Sequence, residues 1–281
     1  MDKIALVLDT ASNMDFEMAE KFGFELLPYS IEIEGDAYDD LIEIPREGFY
    51  ERLEKEKMST GVPPLGKIQN FMEKLVEKGY KQALIFTVSP EMSGMYSAMR
   101  LHSSVEGLET YVLDTRTVGP GVSLLALYAK DLLQKGYNFN QLIKACTLKR
   151  DQLDVAATFR TLVYLIRGGR ISSFKGHLGE VLKFFPLISV KDGKLQQIGK
   201  ARGKVKSQKQ LLKKVKADLA ESKDFDMAFF HAENPEEMKI IKEELSDEIS
   251  RARRLIDFPS TSVLGVHGGP GYFGVSYFIR Q

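Results

Sequence analysis

Tryptophan is absent from the 281 residues and cysteine occurs once, and each shortage removes a class of protein. A lone Cys146 can neither close an intrachain disulfide nor build a cysteine-rich zinc site, which suits a reducing compartment. The histidines His102, His177, His231 and His267 are too scattered to spell a metal motif, so no metal and no cofactor are expected. No stretch approaches the roughly 18 apolar residues of a membrane span. The N-terminal run breaks at Asp9, without the apolar core of a secretory signal. The expectation is a cytoplasmic protein without stable membrane insertion. Net charge is missing too, since 39 Lys and Arg balance 39 Asp and Glu. Bulk attraction to nucleic acid is thereby excluded. The balance is uneven: residues 1–100 carry 11 basic and 19 acidic side chains, and residues 101–200 carry 14 and 8.

What is present is an alternation of short apolar runs with helical patterns, the pattern of βα units around a parallel sheet. Strands are predicted at Ile4–Leu8, Glu25–Ile33, Gln82–Thr87 and Thr110–Leu113. Helices are predicted over 15–22, 46–56, 66–78, 94–104, 122–135 and 139–150. Beyond residue 153 come strand Asp154–Thr158, helices 161–167 and 177–183, and a strand pair, Phe185–Val190 and Lys194–Gly199, around Asp192-Gly193. An Asp-Gly between two apolar runs signals a hairpin. Helix 205–220, strand Phe225–Phe230, helix 235–249 and strands at Ala252–Ile256, Val263–Val266 and Val275–Ile279 complete the reading. The fold class expected is α/β in two domains. The first, 1–152, has a mainly parallel sheet flanked by helices; the second, 153–281, has a mixed sheet.

Familiar motifs fail on inspection. Gly61 to Lys67 has the spacing of a phosphate-binding loop, but Ile68 stands where the magnesium-binding hydroxyl belongs. Gly269, Gly271 and Gly274 spell a dinucleotide fingerprint, with too little chain after them for the crossover helix. Gly-x-Ser-x-Gly, His-Glu-x-x-His and Cys-x-x-Cys are absent. Cys146 sits in the apolar stripe of helix 139–150 and reads as a small buried hydrophobe.

Five constellations remain. Ser93 and Gly94 open a helix after a strand, where free N–H groups favour an anion, although a serine there also serves as a simple cap. Thr60 lies in the loop feeding helix 66–78, at the sheet edge where open α/β folds bind ligands, or it is an ordinary turn residue. Arg167 and Arg170 flank paired glycines at a helix C-terminus, as an anion clamp or as dipole partners. His267 ends a strand before a glycine-rich stretch, as a donor to an anion or as a structural residue. The basic run from Lys200 to Lys216 is a solvated helix face or a docking surface for something acidic.

Taken together, Asp9-Thr-Ala-Ser12, Tyr38-Asp-Asp40, Ser59-Thr60, Ser93-Gly94-x-Tyr96-Ser97, Asp114, Gly119-x-Gly121, Gly168-Gly169-Arg170-Ile171-Ser172, Pro186, Lys200-x-Arg202 and His267-x-Gly269-Pro270-Gly271 resemble, in order and spacing, the DegV family of bacterial fatty-acid-binding proteins. The resemblance implies a non-catalytic carrier that buries one long-chain fatty acid between two domains. Ser93 and the Gly94 N–H would hold the carboxylate, Thr60 would assist, and His267 and Arg170 would complete the polar network. Arg202 would face a partner, an ATP-dependent fatty acid kinase that makes acyl phosphate for phospholipid synthesis. Gly61, Val62, Pro90 and Gly268 depart from the family's usual residues and remove polar groups near the presumed headgroup. The alternatives are a serine esterase or thioesterase with Ser93 as nucleophile and His267 as base, and a lipid sensor without a kinase.

Overall fold

The computed structural model describes residues 3–171 and 184–280; the helix expected over 177–183, together with Ser172, lies outside them. The chain opens with β1 (Ile4–Asp9), a 3-10 turn (Thr10–Ser12), α1 (Phe16–Phe22), β2 (Glu25–Leu27), β3 (Ser30–Ile33) and β4 (Asp36–Asp39). Then come α2 (Phe49–Lys55), β5 (Met58–Gly61), α3 (Leu65–Glu77), β6 (Gln82–Thr87), α4 (Met95–His102), β7 (Glu109–Asp114), α5 (Pro120–Gln134) and α6 (Phe139–Lys149). The rest is β8 (Leu153–Thr158), α7 (Val163–Arg167), β9 (Phe185–Lys191), β10 (Lys194–Ala201), α8 (Lys204–Leu219), β11 (Phe225–His231), α9 (Pro235–Glu244), α10 (Ser246–Arg251), β12 (Arg254–Pro259), α11 (Ser262–Gly268) and β13 (Phe273–Ile279).

Among the described residues the strands form three sheets. One is parallel throughout, in the order β2-β1-β6-β7. A second, β10-β9-β8-β13-β11-β12, is antiparallel except for its β11–β12 edge pair. The small sheet β4-β3-β5 is antiparallel. The fold is the expected α/β architecture, a parallel-sheet unit followed by a mixed-sheet unit. The Asp192-Gly193 hairpin joins β9 to β10 with both residues at positive φ, as the tight two-residue turn requires.

Several local expectations are corrected. Glu25–Ile33 is two strands in two sheets: Pro28 has no N–H to continue the ladder with β1, so the chain leaves the parallel sheet there and begins the small one. Thr60 stands on strand β5, opposite Ile31, rather than in a loop. The helix over 235–249 breaks at the buried Leu245 into α9 and α10. Val263–Val266 is helical, inside α11, so His267 ends a helix and not a strand. A four-residue apolar run carries no period of its own, and acceptors at its N-terminus decide the matter.

Those acceptors come from the far end of the chain. Asn13, held at φ 68, accepts from the Thr261 N–H at 3.0 Å and donates to the Phe258 carbonyl at 3.3 Å. Thr261 Oγ1 donates to the Thr10 carbonyl at 2.9 Å, and Asp40 Oδ1 accepts from the Val263 N–H at 3.3 Å. These groups satisfy amides that a helix start leaves unpaired. They also tie the turn after β1 to the start of α11.

A shared helix makes the second connection. Ten of the fifteen residues of α5 are buried, and the helix packs on β1 and β6 of one sheet and on β8, β11 and β13 of the other. Gly121 permits the approach: a Cβ there would lie 2.5 Å from Thr117 Oγ1 and 3.0 Å from Val155 Cγ2. At its far end Asp131 receives Arg254 at 2.8 Å and Arg280 at 2.6 Å, and both arginines also reach the fully buried Asp226. Asn13→Ala removes two buried hydrogen bonds and the side chain best suited to positive φ. It is expected to lower unfolding stability by about 3 kcal/mol, measured by urea denaturation.

Candidate functional site

A cavity of about 870 Å³, counted with its mouth, lies where the parallel sheet, the mixed sheet and α11 meet. Its walls are apolar over most of their extent: Val88, Met92, Val118 and Pro120 from the first half, Val155, Ala157, Phe159, Leu165, Ile188, Val190, Leu195 and Phe230 from the second, and Val263 and Leu264 from α11. Tyr272 stacks on Phe159 with ring centroids 5.2 Å apart and anchors its hydroxyl on Ser260 at 2.7 Å. The polar lining comes from Tyr29, Thr60, Ser93, Arg170, Ser189 and His267. Arg170 is the only charged side chain among the described lining residues other than the titratable His267.

Ser93 is positioned by a tight turn after β6. The N–H groups of Met92 and Ser93 both return to the Ser89 carbonyl, and Ser93 Oγ accepts from the Met95 N–H at 3.1 Å, bracing the start of α4. On its other side Ser93 Oγ is 2.6 Å from the Tyr29 hydroxyl. Gly94 is the exposed residue at the cap of α4, beside Ser93 but outside the cavity wall.

Arg170 reaches the cavity through a helix ending that needs both glycines. Gly169 adopts φ 73, its N–H returning to the Ile166 carbonyl and that of Arg170 to the Leu165 carbonyl, the usual way a glycine closes a helix. The Arg170 Nε then donates to the Met92 carbonyl at 3.1 Å, joining this turn to the Ser93 loop. Gly168 makes room for His267: a Cβ at Gly168 would lie 2.3 Å from His267 Nδ1. His267 Nε2 is in turn 2.8 Å from Thr60 Oγ1. Burial, aided by the Arg170 charge, holds the His267 imidazole down to about 4, so the ring is neutral at pH 7. Gly268 and Gly269 lie under the Tyr272 and Tyr164 rings, each where a Cβ would be 2.2 Å from ring carbon.

Thr60, Ser93, Arg170 and His267 thus converge on one wall of one cavity. Arg202 does not: it is exposed and lies over the Phe184 ring, 5.3 Å from its centre, as does Lys200. Part of the neighbouring basic run is engaged internally, Lys214 with Asp154 and Asp218 at 2.7 Å and Lys204 with Glu237. Tyr29 escaped sequence reasoning because a tyrosine inside an apolar run reads as core; Pro28 before it was the available signal that the strand ends there. Among the described residues no three His, Cys, Asp or Glu side chains converge as a metal group would require, and none of their helices is long and apolar enough to cross a membrane.

The site's geometry defines a class, an α/β protein with a largely apolar cavity that carries a hydroxyl, imidazole and guanidinium cluster on its wall. The family model described as "Uncharacterised protein, DegV family" matches residues 3–280, and the chain belongs to that family. It is 31% identical over 280 residues, 99% of each chain, to a DegV domain-containing protein of Clostridium acetobutylicum. It is 27% identical over 291 residues, 99% of each chain, to a protein of Thermotoga maritima named fatty acid-binding protein. Among solved structures, a fatty acid binding DegV from Bacillus subtilis superimposes with a TM-score of 0.89 at 25% identity, over 100% of both chains.

Two acids lie beneath the hydroxyl cluster. Asp9, at the end of β1, is wholly buried, and neither carboxylate oxygen has a hydrogen bond of good geometry. Burial pushes it up to about 8, against the opposing pull of the nearby Ala11 and Ser12 amides. Asp40 is raised by burial to about 6. A carboxyl that ionises near 4 when unfolded and near 8 when folded takes up a proton on folding between those values. Its contribution is present at low pH and lost as pH rises through that window. Asp40 and His267 are the same in both proteins, so their own titration largely cancels from the difference between Asp9→Asn and the unmodified protein, which isolates Asp9. Asp9→Asn is therefore expected to gain on the unmodified protein by about 5 °C in Tm from pH 6 to pH 8, measured by calorimetry; an unchanged difference would refute the assignment.

Proposed function

We propose that this protein is a non-catalytic carrier of one long-chain fatty acid. The observation that carries the reading is electrostatic: apart from Ser189, whose hydroxyl is bonded to Asp154, the described cavity lining is apolar except where a neutral imidazole, hydroxyls and the single guanidinium of Arg170 meet. A long apolar molecule with one negative end matches that lining. Each buried methylene contributes about 0.8 kcal/mol, so the tail supplies affinity and the polar wall supplies orientation. In this reading Ser93 and Thr60 hold the carboxylate with the Gly94 amide near it, and His267 and Arg170 complete the seat. The names of the Thermotoga maritima and Bacillus subtilis relatives support it.

The carrier presents its carboxylate to an ATP-dependent kinase for conversion to acyl phosphate and onward lipid synthesis. The family resemblance supports this, as do the exposed Lys200 and Arg202. The hydrolase alternative is disfavoured by pairing, because Ser93 is bonded to Tyr29 and His267 to Thr60, leaving no Ser–His dyad.

Native mass spectrometry of protein purified from cells is expected to show a co-purified lipid mass, or uptake of added octadecanoic acid at one per chain. A clean mass with no uptake would overturn the carrier reading. Ser93→Ala is expected to weaken octadecanoic acid about tenfold, because a charge-assisted hydrogen bond is lost. The same change should weaken octadecan-1-ol less, by calorimetric titration.

A further inference from the structure

The contact between Tyr29 and Ser93 does more than hold a loop. A hydroxyl has one proton and two acceptor lone pairs. The Met95 N–H occupies one lone pair of Ser93 Oγ. The Tyr29 hydroxyl, at 2.6 Å, meets the second lone pair or the proton. A phenol is the stronger acid and the weaker acceptor of the two, so the proton in the bridge belongs to tyrosine. Both lone pairs of Ser93 are then taken, and its own proton is left for an acceptor in the cavity.

Tyr29 is built to stay in place. Pro28 precedes it, the Tyr29 N–H donates to Thr10 Oγ1 at 3.1 Å, and the Tyr29 carbonyl accepts from the Asp40 N–H at 2.9 Å. The residue is 4% exposed, with its hydroxyl at the cavity wall. Burial raises its ionisation well above the ordinary phenol value, so it keeps the proton it donates. Without that donor, a lone pair of Ser93 is free to face the ligand and repel an anion.

We propose that Tyr29 is a positioning residue that holds Ser93 as a pure proton donor toward the cavity, and thereby selects an ionised carboxylate over an alcohol of the same chain length. The proposal rests on the fatty-acid reading above. A carboxylate only accepts, and matches a donor-only seat; an alcohol makes the weaker neutral bond and gains less from it.

The test compares octadecanoic acid with octadecan-1-ol on the full chain by calorimetric titration. Tyr29→Phe keeps the ring and removes the hydroxyl. It is expected to weaken the acid about tenfold and the alcohol less than about threefold. In a Ser93→Ala background the same change is expected to cost the acid less than about twofold, because the two groups act as one unit. Tyr29→Leu, which removes ring and hydroxyl together, must lose the same discrimination. As a second readout, the carbonyl carbon-13 signal of labelled bound acid is expected to move in Tyr29→Phe. Equal losses for acid and alcohol, or additive effects with Ser93→Ala, would overturn the proposal while leaving the carrier intact. An unmodified chain that takes up neither ligand would overturn both.

Discussion

The start of α11 is held by groups that precede it by more than two hundred residues, and the polar wall of the cavity depends on that hold. Asn13 and the Thr10 carbonyl fix Thr261, and Asp40 takes the Val263 amide. The helix they start is seven residues long, too short to persist by its own hydrogen bonds. It carries His267 at its C-terminal end. The imidazole that meets Thr60 is therefore placed by side chains from the first strand's turn and from the small sheet. This explains why Asp9-Thr-Ala-Ser12 and Tyr38-Asp-Asp40 belong to one recognisable pattern although neither segment lies among the site's hydroxyl donors.

The glycine-rich motifs have a similarly concrete meaning. In Arg167-Gly-Gly-Arg170 one glycine leaves space for the histidine ring and the other takes the left-handed conformation that turns Arg170 toward the Ser93 loop. After His267, two more glycines lie flat against tyrosine rings. The absence of a side chain at Gly268 is thus matched by Tyr272, which fills that volume and forms part of the wall.

The fold class was legible in the alternation of apolar runs and in the Asp-Gly hairpin, because those signals are local. The apolar run at Val263–Val266 was misread because its helix is imposed from afar, and Glu25–Ile33 because a sheet switch at Pro28 is a tertiary event. Ser93, Thr60, Arg170 and His267 were reachable from cap chemistry and family pattern; their convergence was not. Tyr29 was invisible to both, since its importance comes from a partner sixty-four residues away. Arg202 was recognisable as a surface cation, and it is exposed and not among the described residues that line the cavity.

The helix that backs both sheets bears on which side of the cavity opens first. Since α5 is buried along most of its length and pinned at Asp131 by Arg254 and Arg280, the two sheets share one packed helix as a common back. The polar wall is made of loops, an edge strand and a short tethered helix, the kind of elements that open at little cost. Local opening is therefore expected at the polar wall before the side backed by the helix.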